Sequence, residues 1–214
     1  MQEQHSESKK FSDAIIHLAN SDEVLSGLIE DIGDCTLKKR EDFFLSLLST
    51  IINQQLSGSV ADSIFKKFLE EVEGEVIPEK VVNLSPDQFR KSGISKSKES
   101  FIRGLSKEFI KDRNFLLDIT SKSDSEVLSE LMNLRGIGEW TAQMFMIFSL
   151  NRLDVLPVGD AGFRRSVSKF YLNGAEVSVD DILRISEKWK PYRSIAVWYL
   201  WRGIDRAPKG PIQS

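Results

Sequence analysis

The chain has 214 residues, 41% hydrophobic and 29% charged, with a formal net charge of −3 and a pI near 5.6. That balance suits one large soluble domain or two small packed lobes, and no run approaches the ~18 consecutive apolar residues of a membrane span. A lone cysteine, Cys35, excludes an internal disulfide and any four-cysteine metal or iron–sulfur site, while only two histidines, His5 and His17, argue against a histidine-based metal centre.

The first eight residues are polar and lack the apolar run of a signal peptide, so an intracellular, membrane-free location is expected. Residues 1–8 and the tail 207–214 read as flexible. Between them, Phe11 to Ala19 and Val24 to Ile32 form short amphipathic runs, and Phe43 to Ile52 is nearly continuously apolar, the pattern of a buried helix. Ser57 to Val72 carries Val60, Ile64, Phe65, Phe68 and Leu69 at helical spacing, so this pair predicts a helical hairpin around Asn53-Gln54-Gln55-Leu56. Helix entrances recur at Ser85-Pro86-Asp87-Gln88, Ser123-Asp124-Ser125-Glu126 and Ser178-Val179-Asp180-Asp181. No sustained alternation flanked by tight-turn dipeptides appears, and the fold class predicted is all-α.

Acidic net charge alone disfavours a nucleic-acid partner, but the distribution is uneven. Residues 90–113 carry Arg90, Lys91, Lys96, Lys98, Arg103, Lys107, Lys111 and Arg113, a local excess of five positive charges. A second cluster comprises Arg184, Lys188, Lys190, Arg193, Arg202, Arg206 and Lys209. Such clusters serve equally as solvated helix faces or as phosphate contacts.

The segment Leu131 to Phe145 is the most informative. Its glycines, Gly136 and Gly138, flank Ile137 between one helix ending near Leu134 and another beginning at once. That geometry turns unpaired N–H groups and a positive helix end outward, which suits a phosphate; Ile137 plugs the turn into the core. Taken alone, Gly-x-Gly is also compatible with a plain tight turn.

The fuller string, Leu-x-x-Leu-Arg-Gly-Ile-Gly-x-Trp-Thr-Ala followed by an apolar helix, resembles the helix-hairpin-helix of the endonuclease III-like DNA glycosylase superfamily. The resemblance is to its 3-methyladenine DNA glycosylase II branch. Three further segments match in order: Ile51 to Ser57, Gly93-Ile94-Ser95-Lys96-Ser97-Lys98, and Pro191-Tyr192-Arg193-Ser194 with its following helix, so the likeness runs from about residue 40 to 203.

The resemblance implies two helical lobes with the helix-hairpin-helix motif and an active-site cleft between them. One lobe spans about 40–150, including the hairpin 131–145, and the other about 9–35 plus 151–206. It implies Asp160, in Leu156-Pro157-Val158-Gly159-Asp160, as the catalytic carboxylate; the same residue also fits a helix N-cap, and Asp154 is its only nearby competitor. Relatives often carry a second acid where this chain has Gly159.

Trp140 and Tyr192 take positions that line the family's base pocket, while Trp198, Tyr199 and Trp201 read as core aromatics. Gly136, Ile137, Gly138 and Thr141 form the DNA-gripping hairpin. One of Gln54, Gln55, Leu56 and Ser57 is expected to wedge into the gap left by an everted base. Bifunctional relatives have a strand-cutting lysine where Trp140 stands, so a monofunctional enzyme is expected, excising alkylated bases of the 3-methyladenine type and leaving an abasic site.

No cofactor is required. The resemblance does imply a structural Na+ or K+ on the backbone carbonyls of Met132, Leu134 and Ile137. The expected partner is double-stranded DNA containing damaged bases, met by a monomer, in the cytoplasm or nucleoid of a bacterium or the nucleus of a eukaryote. A DNA-binding module without catalysis, and an enzyme for oxidised or deaminated bases, are the other readings.

Overall fold

The computed structural model describes residues 2–56, 58–112, 116 and 118–206, with backbone alone at 2–10, 58 and 206. Ser57, Arg113 and the tail 207–214 lie outside the described residues. Among those described, every regular element is helical: α1 Gln2–Ser21, α2 Glu23–Ile32, α3 Phe43–Asn53, α4 Gly58–Glu71, α5 Pro78–Asn83 and α6 Pro86–Ser92. These are followed by α7 Lys96–Lys111, α8 Asp124–Met132, α9 Glu139–Phe148, α10 Ala161–Tyr171, α11 Val179–Ser186 and α12 Arg193–Arg206.

Local chemistry explains most boundaries. Ser85, Ser123 and Ser178 each cap a helix and close a reciprocal capping box with Gln88, Glu126 and Asp181. Helix α1 extends to Gln2, ahead of the apolar run at Phe11, through Gln, Glu and Lys residues of good helix propensity. The short α5, which its six residues give no periodicity to announce, starts at Pro78.

The chain divides into two compact units: one drawn from Met1–Lys38 and Arg152–Ser214, the other from Lys39–Asn151. In the Lys39–Asn151 unit, α3 is the central element and packs on α4, α7 and α9. Its residues Leu47, Leu48, Ile51 and Ile52 are fully enclosed, which accounts for the continuous apolar run: a helix covered on all sides needs no polar face.

In the other unit, α12 packs on α1, α2 and α10, burying Ile195, Val197, Tyr199 and Leu200 completely. Its polar centre is Asp22, 2% exposed. Asp22 Oδ1 caps α2 by accepting from the Val24 and Leu25 amides, and Oδ2 accepts from the Tyr171 hydroxyl at 2.8 Å and the Trp189 indole at 2.7 Å. The Lys188 ammonium stands 3.2 Å from Oδ2. Burial pushes the Asp22 carboxyl up, but the bonds from Trp189, Tyr171, Leu25 and Lys188 outweigh it and hold it below the ordinary carboxylate value.

A depressed folded-state pKa contributes stability above the unfolded value of about 4 and loses it as pH falls through the folded value. Asp22→Ala is therefore expected to cost about 3 kcal/mol at pH 7, measured by denaturant unfolding, with the deficit shrinking below about pH 4. A deficit unchanged at low pH would show that the carboxylate's charge plays no part.

Candidate functional site

Asp160 is the N-cap of α10, its backbone extended at φ −74°, ψ 121°. Its Oδ1 accepts from the Phe163 amide at 2.6 Å and from the Trp201 indole Nε1 at 2.9 Å. Gly162 lies beside the meeting point: a Cβ there would stand 3.2 Å from Asp160 Oδ1, a tight contact, and 3.5 Å from the Trp201 ring, an ordinary one. The carboxylate is half-buried and oriented by one backbone and one aromatic donor. Trp201, assigned to the core from sequence, is likewise half-buried, whereas Trp198 and Tyr199 are enclosed as expected. No spacing signal separates Trp201 from its neighbours; only the side of α12 it occupies does.

The loop leading to Asp160 is clamped at both ends. Arg193 makes a paired contact with Asp154, Nε to Oδ1 at 2.7 Å and Nη2 to Oδ2 at 2.8 Å. Ser194 Oγ accepts from the Val155 amide and donates to the Arg152 carbonyl. Asp154 is thus engaged in a bidentate pair that fixes the chain at the start of the loop. Further on, the Asp160 amide donates to the Pro157 carbonyl, and Arg164 reaches the carbonyls of Val158 and Val177. Gly159 is exposed with open space at its Cβ position, so the loop's shape does not depend on a side chain there.

Of the two aromatic candidates, Tyr192 lies in the same unit as Asp160 and meets His17 edge-on at 5.4 Å, with His17 Nε2 3.2 Å from the Lys188 carbonyl. Trp140 lies in the other unit, half-buried in the first turn of α9.

In the Lys39–Asn151 unit, the hairpin joins α8 to α9. Gly136 has φ +89° and lies directly on Phe101: a Cβ would fall 2.2 Å from the ring. Gly138 differs. It caps α9 at φ −93°, ψ 176°, a conformation open to any residue, and nothing lies within 4 Å of its Cβ position. Gly136 thus answers to the protein's own packing, while Gly138 leaves clear space beside the amides of the first turn of α9, which have no acceptor within the helix. Ile137 is 5% exposed and plugs the turn inward. Thr141, 2% exposed, accepts from Gln54 Nε2 at 2.9 Å, so its part in the hairpin is internal.

The turn after α3 is split in role. Gln54 is held by the hairpin, its Nε2 also donating to the Gly136 carbonyl at 2.9 Å. Gln55, in the left-handed region at φ +58°, and Leu56, 37% exposed, face outward. Ser57 is outside the described residues. Lys98, which the sequence marked in a motif and in the basic run 90–113, donates from Nζ to the carbonyls of Ile52 and Gln54. Burial lowers its pKa from the ordinary lysine value.

Several members of the two basic clusters pair with groups of the fold, most of them at its surface. Arg103 bonds Glu99 and the carbonyls of Val82 and Leu84, and Arg90 pairs with Asp87. Arg184, Lys188, Lys190 and Arg193 pair with Asp181, Asp22, Glu187 and Asp154. Lys96, Lys107 and Lys111 stay exposed along α7. Among the described residues no cluster of His, Cys, Asp and Glu suits a metal, and no helix is long and apolar enough to cross a membrane.

This combination of an all-helical fold, a glycine hairpin and a capping aspartate defines a class. The pattern of the HhH-GPD superfamily of base excision DNA repair proteins matches residues 48–191, and the chain belongs to that superfamily. It is similar to the crystal structure of a DNA-3-methyladenine glycosidase from Bacillus halodurans, with 34% identity, a TM-score of 0.73, and 89% of this chain and 88% of that one covered. The 3-methyladenine DNA glycosylase of Schizosaccharomyces pombe, solved with abasic DNA, superposes with a TM-score of 0.82 at 27% identity over 91% of this chain and 98% of that one. An alkylbase DNA glycosidase-like protein of the same yeast is 27% identical over 87% of this chain and 90% of its own length.

The two hairpin glycines are expected to respond oppositely to alanine. Gly136→Ala, strained at positive φ and colliding with Phe101, should lower unfolding stability by about 2 kcal/mol or more. Gly138→Ala should stay within about 1 kcal/mol of the parent while weakening binding to any DNA sequence alike. Equal stability losses, or a sequence-dependent binding loss, would contradict the division of labour.

Proposed function

We propose that the protein is a monofunctional DNA glycosylase that everts an alkylated base of the 3-methyladenine type from duplex DNA and hydrolyses its N-glycosidic bond. The observation that carries this is the Asp160 carboxylate, oriented by the Phe163 amide and the Trp201 indole, in a chain of this superfamily.

Cleaving the bond between sugar C1′ and the base nitrogen builds positive charge on the deoxyribose, and a fixed carboxylate stabilises that charge. Water adds to C1′ and gives up a proton. The base leaves with the bonding electron pair, which cancels the charge its alkyl group had conferred. Because a cationic purine already carries half of this polarisation, the protein's share of the work is to hold the sugar over Asp160 and the base against an aromatic surface. Tyr192, in the unit of Asp160, and Trp140, in the first turn of α9, are the aromatic side chains proposed for stacking on the base.

Trp140 supports the reading without a strand-cutting step, since an indole has no amine to form a Schiff base with C1′. The exposed Gln55 and Leu56 fill the space the nucleotide leaves, and the amides beginning α9 take the backbone phosphate.

The carbonyls of Met132, Leu134 and Ile137 lie at or just beyond the carboxyl end of α8, the negative end of its dipole, and are hard oxygen donors that fit Na+ or K+. Leu134 O accepts the Ile137 amide at 3.0 Å, leaving its second lone pair for an ion. Such an ion would tie the hairpin to a phosphate.

Asp160→Asn is expected to abolish release of methylated bases, followed by chromatography, while affinity for an abasic duplex is retained. Release by the variant at the parent rate would remove Asp160 from the mechanism. Trp201→Phe, which keeps a ring but removes the indole donor, should lower the single-turnover rate about tenfold.

A further inference from the structure

Three segments of the Lys39–Asn151 unit, far apart in sequence, are bonded to one another around the hairpin. Helix α3 ends at Asn53, where its last carbonyls lack partners within the helix and its dipole is negative. Lys98, in the first turn of α7, places its ammonium there, donating to the Ile52 carbonyl at 2.7 Å and the Gln54 carbonyl at 2.8 Å. Phe101, three residues further along α7, fills the space under Gly136. The Gln54 side chain closes the triangle by donating to the Gly136 carbonyl and to Thr141 Oγ1, each at 2.9 Å.

This arrangement separates Gln54 from its neighbours in the turn. Its amide nitrogen is committed to the hairpin, whereas Gln55 and Leu56 project outward. Lys98 is likewise turned inward to two carbonyls rather than outward to a phosphate. Neither residue serves DNA directly, yet each bonds the turn to a different support.

We infer that Gln54 and Lys98 are positioning residues that lock the turn entering the duplex to the hairpin gripping the backbone, so that both act on DNA as one rigid block. The inference rests on the function proposed above. A side chain pressed into a base stack is pushed back by the stack. If the turn yields relative to the hairpin, the displacement is absorbed by the protein and the nucleotide stays paired. With the turn braced by an ammonium on its carbonyls and an amide on the hairpin, the displacement goes into the DNA.

The coupling matters only when a stacked, paired base must be opened. Methylated DNA is therefore presented both as duplex and as single strands, and single-turnover release of methylpurines is followed. Gln54→Met, which keeps the side chain's length without its donors, and Lys98→Met are expected to lower the duplex rate about tenfold while single-strand release stays within about twofold of the parent. Thr141→Val, which removes one of the two acceptors of Gln54, should give an intermediate loss on duplex and carries the test if Gln54→Met does not fold. Equal losses on both forms, or an unchanged duplex rate, would overturn the inference. Absence of release from the duplex by the unaltered protein would instead overturn the proposed function, a result visible before any variant is made.

Discussion

Two N–H groups converge on one oxygen of Asp160, and the rest of its unit is arranged to keep them there. The Phe163 amide is available because α10 begins at Ala161, and the Trp201 indole is available because α12 presents that face with Gly162 beneath it. A carboxylate capping a helix contributes about 1 kcal/mol wherever it occurs. What distinguishes this one is the second donor, from a half-buried ring rather than a core one, so the oxygen that finishes a helix is also oriented from α12.

The loop before Asp160 is held by devices that look like ordinary stabilising contacts. Arg193 and Ser194 at the start of α12 grip Asp154 and Val155, and Arg164 reaches back to Val158 from α10. Surface ion pairs contribute little to stability, but a bidentate arginine–carboxylate pair sets direction as well as energy. Lys98, Arg103 and Arg193 are held within the fold in such roles, while most of the other described cluster cations stay exposed. An acidic chain can still engage a polyanion when contact is made by backbone amides at a helix start and a few exposed lysines, so net charge was a poor guide here.

The Lys39–Asn151 unit shows the same economy. Gly136 and Gly138 stand two residues apart with different duties, one making room for Phe101 and the other leaving space outside. A glycine's identity in sequence does not say whether the protein or a ligand needs the missing Cβ; the neighbouring atoms do.

Helix starts were legible from the chain because they are local: Ser85, Ser123 and Ser178 satisfy donors three residues away. The buried α3 was legible because enclosure on every side leaves an unbroken apolar run. The order of motifs identified the superfamily, and the proposal for Asp160 rests on its place in that order. Tertiary structure alone decided what depends on partners distant in sequence: that Asp154 belongs to Arg193, that Trp201 faces Asp160, and that Gln54 bonds the hairpin while Gln55 and Leu56 turn outward. Local patterns encode bonds a chain makes with its near neighbours. The choice among similar side chains is made by whatever the fold brings alongside them.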